Sequence, residues 1–123
     1  FRVVFRRFVM NIVAQVEHID GVGAIEAILG VTGVDAVFIG PYDLSASMGK
    51  PGRIQDPDVQ DAVRTITEAC ARRSVPAGIF TVNTPGAVKA LEEGFTLVCT
   101  GIDIGLLSKA AYEIVRGLRP RNS

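Results

Sequence analysis

Residues 35–45 read DAVFIGPYDLS: four apolar residues, Ala36, Val37, Phe38 and Ile39, run without alternation into Gly40-Pro41 and then meet an acid, Asp43. An unbroken apolar run of strand length, closed by Gly-Pro, fits a strand covered on both faces, as in parallel sheets. The pattern predicts a strand and then an irregular loop that carries Asp43 and passes Gly49, Pro51 and Gly52.

The same unit is legible on either side. Residues 9–16 are apolar apart from Asn11 and Gln15, rich in β-branched side chains, and end at Glu17, which predicts another strand buried on both faces. Val22, Ala24, Ile25, Ile28 and Leu29 then follow at helical spacing and stop at Gly30. Downstream, Asp56 as N-cap and Pro57 at the first helical position open a helix with Val59, Ala62, Val63, Ile66 and Cys70 on one stripe. Residues 76–81 form a third strand. Thr84 as cap and Pro85 begin a helix that ends near Gly94. Residues 95–100 form a fourth strand, and Asp103 is placed to cap a last helix carrying Ile104, Leu107, Ala111, Ile114 and Val115.

Four consecutive strand-helix units with continuous apolar strands predict an α/β fold, because right-handed crossovers lay helices on the faces of a parallel sheet. Eight such units close a barrel of about 250 residues, so four in this length predict the C-terminal half of a (β/α)8 TIM barrel, with residues 1–123 as one partial domain. An open doubly wound sheet is the alternative. A chain that begins at Phe1 and passes at once into a strand pattern is expected to be a piece of a longer protein.

Composition narrows the function classes. Acidic and basic residues balance at 13 each, which gives no field to hold nucleic acid. No apolar run approaches the length of a membrane span, and Arg2, Arg6 and Arg7 break the N-terminal stretch before it could act as a signal segment. Cys70 and Cys99 lack metal-site spacing and predict no disulfide framework, so a reducing cytoplasm is expected. Both cysteines read as core.

Barrel enzymes build their sites at the C-terminal ends of strands, where Glu17 and Asp43 interrupt apolar runs. Gln15 lies two residues before Glu17 and shares its side of the strand, whereas His18 points away. Two acids on neighbouring strand tips call for a counter-charge, and oxygen ligands alone favour Mg²⁺ or Mn²⁺, with Co²⁺ a further candidate. Spacing leaves two other readings open: Glu17 paired with an arginine, and Asp43 as a turn residue or helix cap. Lys50 reads as a solvated loop lysine, with contact to an acidic substrate the lesser alternative. Ser45 and Ser47 read as turn-capping hydroxyls.

Residues 13–17 (VAQVE), residues 33–45 (GVDAVFIGPYDLS) with Met48-Gly49, residues 76–79 (PAGI) and residues 100–103 (TGID) with Leu106-Leu107 together resemble the HpcH/HpaI aldolase and citrate lyase family. The resemblance implies a metal-dependent carbon-carbon lyase that releases pyruvate and an aldehyde from a 4-hydroxy-2-oxo acid. By motif position it implies Glu17 and Asp43 as metal ligands, Gln15 beside the metal-bound water or pyruvate, and the amides of Tyr42 and Asp43 on the pyruvate carboxylate. The family's catalytic histidine and arginine, carried on an earlier strand, have no counterpart here, so no catalytic residue is assigned. Tyr42 departs from the small or polar residue usual before the aspartate. A small 2-oxo acid and a second copy of the chain are the expected partners. An acyl-CoA lyase of the same superfamily, and a non-catalytic half barrel that pairs with another chain, are the alternatives.

Overall fold

The computed structural model describes residues 10–118. Its four strands, β1 (Val13–Val16), β2 (Ala36–Ile39), β3 (Ala77–Thr81) and β4 (Leu97–Thr100), are parallel and lie side by side in chain order. Between and after them come α1 (Ile19–Gly23), α2 (Ile25–Leu29), α3 (Pro41–Ser47), α4 (Pro57–Arg72), α5 (Thr84–Glu92) and α6 (Asp103–Leu118). A doubly wound sheet needs a reversal in strand order, and there is none. Strands in sequence with same-handed crossovers put their helices on one face, which is the arrangement of half a barrel.

Register fixes which residues meet the helices. Val16 pairs with Ile39, Ile39 with Ile79 and Ile79 with Val98, and this row faces the helical layer. Val37 and Ile39 are fully buried there against the α4 stripe of Ala62, Val63, Ile66, Ala69 and Cys70. Side chains of this size contribute about 1.5–3 kcal/mol each when removed from water. Burial also pushes the Cys70 thiol above its ordinary range.

The alternate row, Gln15, Phe38, Gly78 and Leu97, lines the concave face. Here Gly78 is required by space: a Cβ on it would stand 2.7 Å from the Phe38 ring and 2.8 Å from the Leu97 carbonyl oxygen.

Several boundaries differ from the sequence reading. The β1 ladder starts at Val13, and residue 9 lies outside the described residues. Val13 of β1 is 45 % exposed, because among the described residues no layer opposes the concave side of the sheet. Cys99, expected in the core, is exposed on β4 for the same reason. The helix expected over residues 22–29 is two, broken at Ala24, and it starts earlier because His18 caps α1, its Nδ1 accepting the Asp20 N–H at 3.2 Å.

Asn83, not Thr84, caps α5, its side-chain oxygen reaching the Gly86 N–H at 2.9 Å. The expected loop at residues 41–45 is helical, since Pro41 has the φ of a first helical residue. Asp103 begins α6, accepting the Ile104 N–H at 2.7 Å, but the apolar stripe of that helix buries none of its residues.

Candidate functional site

The last rung between β1 and β2 is the Gly40 N–H donating to the Val16 carbonyl at 3.2 Å. Past it the two chains part, Glu17 leading toward α1 and Gly40 into α3. Gln15 donates from Nε2 to Glu17 Oε2 at 2.5 Å, holding the carboxylate toward the concave side. The Glu17 side chain lies over the bare face of Gly40. A Cβ at residue 40 would stand 3.0 Å from Glu17 Oε2 and 3.1 Å from Glu17 Cβ. The backbone of Gly40, at φ −100° and ψ 86°, does not call for glycine; the space does.

Asp43 stands in the first turn of α3, on the exposed side. Among the described residues neither Glu17 nor Asp43 is ion-paired, so the arginine reading of Glu17 finds no partner there. Asp43 is not the N-cap of α3 either; that position is Gly40. The amides of Tyr42 and Asp43 belong to the first turn, whose N–H groups have no partner within the helix.

Gln15, Phe38, Gly40, Tyr42, Asp43 and Phe80 wall an open cleft of about 310 Å³, and Glu17 reaches it through its bond to Gln15 rather than lining it. The Tyr42 and Phe80 rings meet edge to face, 6.3 Å apart at 70°. Beyond that pair a larger apolar cleft of about 660 Å³ runs toward Asn83, Thr100, Leu106 and Lys109. The strand tips thus carry a corner with one carboxylate, Asp43, and one amide, Gln15, beside a larger apolar one.

The donor set fits a hard divalent cation: two carboxylates and a neighbouring amide, the Glu17 carboxylate being seated over Gly40, and no His or Cys ligand. No three of His, Cys, Asp and Glu cluster among the described residues, so two protein carboxylates would leave other coordination positions to water or a bound ligand.

The remaining candidates are otherwise engaged. His18 caps α1 and stands 3.4 Å from the Asp20 carboxylate. Lys50 is a half-buried, paired lysine rather than a freely solvated one: it bonds Asp56 at 2.6 Å and also Asp58, which raises its pKa, and the bond to Asp56 lowers that of Asp56. The serines cap, as expected. Ser45 donates to the Tyr42 carbonyl at 2.7 Å and accepts the Gly52 N–H at 3.1 Å. Ser47 donates to the Leu44 carbonyl at 2.7 Å and accepts the Ile19 N–H at 3.0 Å. Gly40 escapes the sequence reading as a site residue, because its place opposite Glu17 follows from the register of β1 on β2.

Comparison with known proteins agrees with this architecture. Residues 6–110 match the family model described as HpcH/HpaI aldolase/citrate lyase. A 5-keto-4-deoxy-D-glucarate aldolase from Klebsiella pneumoniae is 36% identical over 105 residues, which cover 85% of this chain and 41% of that protein. An HpcH/HpaI aldolase/citrate lyase family protein from Burkholderia cenocepacia superposes with a TM-score of 0.86 at 34% identity, over 90% of this chain and 43% of that one. The citrate lyase beta subunit from M. tuberculosis, complexed with oxaloacetate and magnesium, shares the fold at 18% identity, with a TM-score of 0.64 over 75% of this chain and 47% of that one. The chain therefore spans about two fifths of the length of the curated relative it matches.

Proposed function

This chain belongs to the HpcH/HpaI aldolase/citrate lyase family, and from that premise we propose that it supplies the metal-binding half of a carbon-carbon lyase. The reaction is the cleavage of a 4-hydroxy-2-oxo acid to pyruvate and an aldehyde. One observation carries the reading: the Glu17 carboxylate, held by Gln15, lies over the bare face of Gly40, one helical turn from an Asp43 that is likewise free of cationic partners among the described residues.

Glu17 and Asp43 would hold the cation, Mg²⁺ or Mn²⁺ by their oxygen donors. The magnesium complex of the citrate lyase beta subunit supports a divalent ion in this fold. When bound, such an ion supplies Lewis acidity to a ketone oxygen. Gln15 orients Glu17 and stands beside the position a 2-oxo acid takes. The first-turn amides of Tyr42 and Asp43 point donors toward its carboxylate, as successive amides do for other anions. Tyr42 and Phe80 wall the side on which the aldehyde portion extends, and the apolar cleft behind them favours a substrate with a hydrocarbon portion there. His18 is spent as a cap, so the base for the hydroxyl proton is assigned to none of the described residues.

Among the described residues the concave face is open and neither sheet edge is paired, which supports a chain that works with further protein surface, a second copy being the proposed partner. No described helix is long and apolar enough to cross a membrane, and Cys70 and Cys99 are free thiols, in keeping with the proposed cytoplasmic setting.

Titration of Mn²⁺ into the chain, followed by the loss of free-ion paramagnetic resonance signal, tests the site. Wild type should bind one ion, and Glu17→Ala and Asp43→Ala should each lose binding. Equal affinity in all three proteins would remove both residues from the site.

A further inference from the structure

Glu17 and Asp43 lie past the ends of β1 and β2, where the sheet ladder no longer spaces the two chains. The last rung, Gly40 N–H to the Val16 carbonyl, and the Gln15 bond fix the chain up to Glu17, and beyond them the segment entering α1 needs a further restraint to hold its distance from α3. Among the described residues, one side-chain hydrogen bond joins the segment after Glu17 to the helix that carries Asp43. It is made by Ser47: Oγ accepts the Ile19 N–H at 3.0 Å, two residues beyond Glu17, and donates to the Leu44 carbonyl at 2.7 Å, next to Asp43. A hydroxyl that only capped its own helix would need the second of these bonds, not the first.

We infer that Ser47 is a positioning residue, a tether that fixes the spacing of the two carboxylates and so tunes which divalent ion they accept. The inference rests on the reading of Glu17 and Asp43 as ligands. Ser47 itself touches neither ion nor substrate; it acts through the turn after Glu17. Mg²⁺ demands near-ideal octahedral geometry at short distances, whereas larger ions tolerate looser cages. Loosening the tether should therefore penalise Mg²⁺ more than Mn²⁺ or Ca²⁺, a change in ratio that general destabilisation of the fold does not produce.

The test compares wild type, Ser47→Ala and Ser47→Thr by Mn²⁺ titration and by competition with Mg²⁺ and Ca²⁺. Ser47→Ala is expected to lose about tenfold in Mg²⁺ affinity, the scale seen when an outer-shell partner of a metal ligand is removed. It should lose less for Ca²⁺, and Ser47→Thr, which keeps the hydroxyl, should restore the wild-type ratio. In wild type, saturating Mg²⁺ should slow exchange of the Ile19 amide, because a tether that favours the ion must be favoured by it in turn. This last measurement stands even if Ser47→Ala does not fold.

Wild-type Mg²⁺ affinity in Ser47→Ala, or an Ile19 amide indifferent to Mg²⁺, while Glu17→Ala abolishes binding, would overturn the tether and leave the metal site intact. Undiminished binding in Glu17→Ala and Asp43→Ala would overturn the site and the tether together.

Discussion

At Gly40 the absence of a side chain is what lets the Glu17 carboxylate lie where it does. Its backbone angles suit alanine, so a Gly40→Ala chain should fold with a melting temperature close to wild type. The added Cβ would stand 3.0 Å from Glu17 Oε2, and also 3.1 Å from Glu17 Cβ, which is not the free end of a flexible chain. Turning the carboxylate away from Gln15 and the first turn of α3 relieves the first contact, and a shift of the Glu17 backbone by a few tenths of an ångström relieves the second. The expected outcome is a loss of about tenfold in Mn²⁺ affinity with little change in thermal stability, read by the same titration and by a thermal melt. A proportionate loss of both would mean that Gly40 serves the fold and not the carboxylate. The placement of the two acids just past strand ends was legible in the sequence, because each follows an apolar run; a shared cation was not, because an acid there can equally pair with an arginine or serve a turn. Gly40 and the first bond of Ser47 were not, because both depend on which backbone lies opposite, and that is fixed by the register of β1 on β2.

The elements show a similar division. α4 was readable almost to the residue: Asp56, Pro57 and a stripe at helical spacing are local signals, and the structure buries that stripe. α3 was read as a loop because seven residues are too few to show a period, and its stability comes from Pro41, buried Leu44 and the two serine hydroxyls. The helix after β1 was read as continuous because nothing in its apolar pattern marks the break at Ala24.

Between α2 and α4 the tie is electrostatic: Glu26 accepts from Arg72 at 2.9 Å and from Arg73 at 2.8 Å, and those two guanidinium groups hold its carboxyl below its ordinary value of 4.5. A carboxyl whose folded pKa is depressed contributes stability that is present above its unfolded value and is lost as the pH falls through the folded one. Glu26→Gln should therefore melt slightly below wild type at pH 7, a small effect because the pair is solvent-exposed. The gap should close as the pH is taken below 4.5. Melts recorded from pH 7 to 3 check this; a gap that persists in acid would mean the tie is not ionic.

For the molecule as a whole, the decisive feature is how much apolar surface the four units leave open. Among the described residues, the order β1-β2-β3-β4 places β1 and β4 at opposite edges, the outer side of each paired with no described strand. On the concave side Val13 and Leu97 are 45 % and 42 % exposed, and along α6 Leu107 and Ile114 are 72 % and 65 % exposed. The sequence showed that these residues are apolar and periodic, but not that they lack a cover, since period reports which face is buried and not what buries it. Exposed strand edges beside apolar surface associate unless charge or closure prevents it. The chain is therefore expected to run above its 13.1 kDa monomer mass in size-exclusion chromatography with light scattering, and increasingly so with concentration. Cys99→Lys, which sets a charge on the exposed face of edge strand β4, should shift the distribution toward monomer. It should do so without weakening Mn²⁺ binding at the β1–β2 tips, because β3 lies between β4 and the site. If wild type is monodisperse at the monomer mass across a hundredfold range of concentration, the open edges are not the surface through which this chain meets a partner.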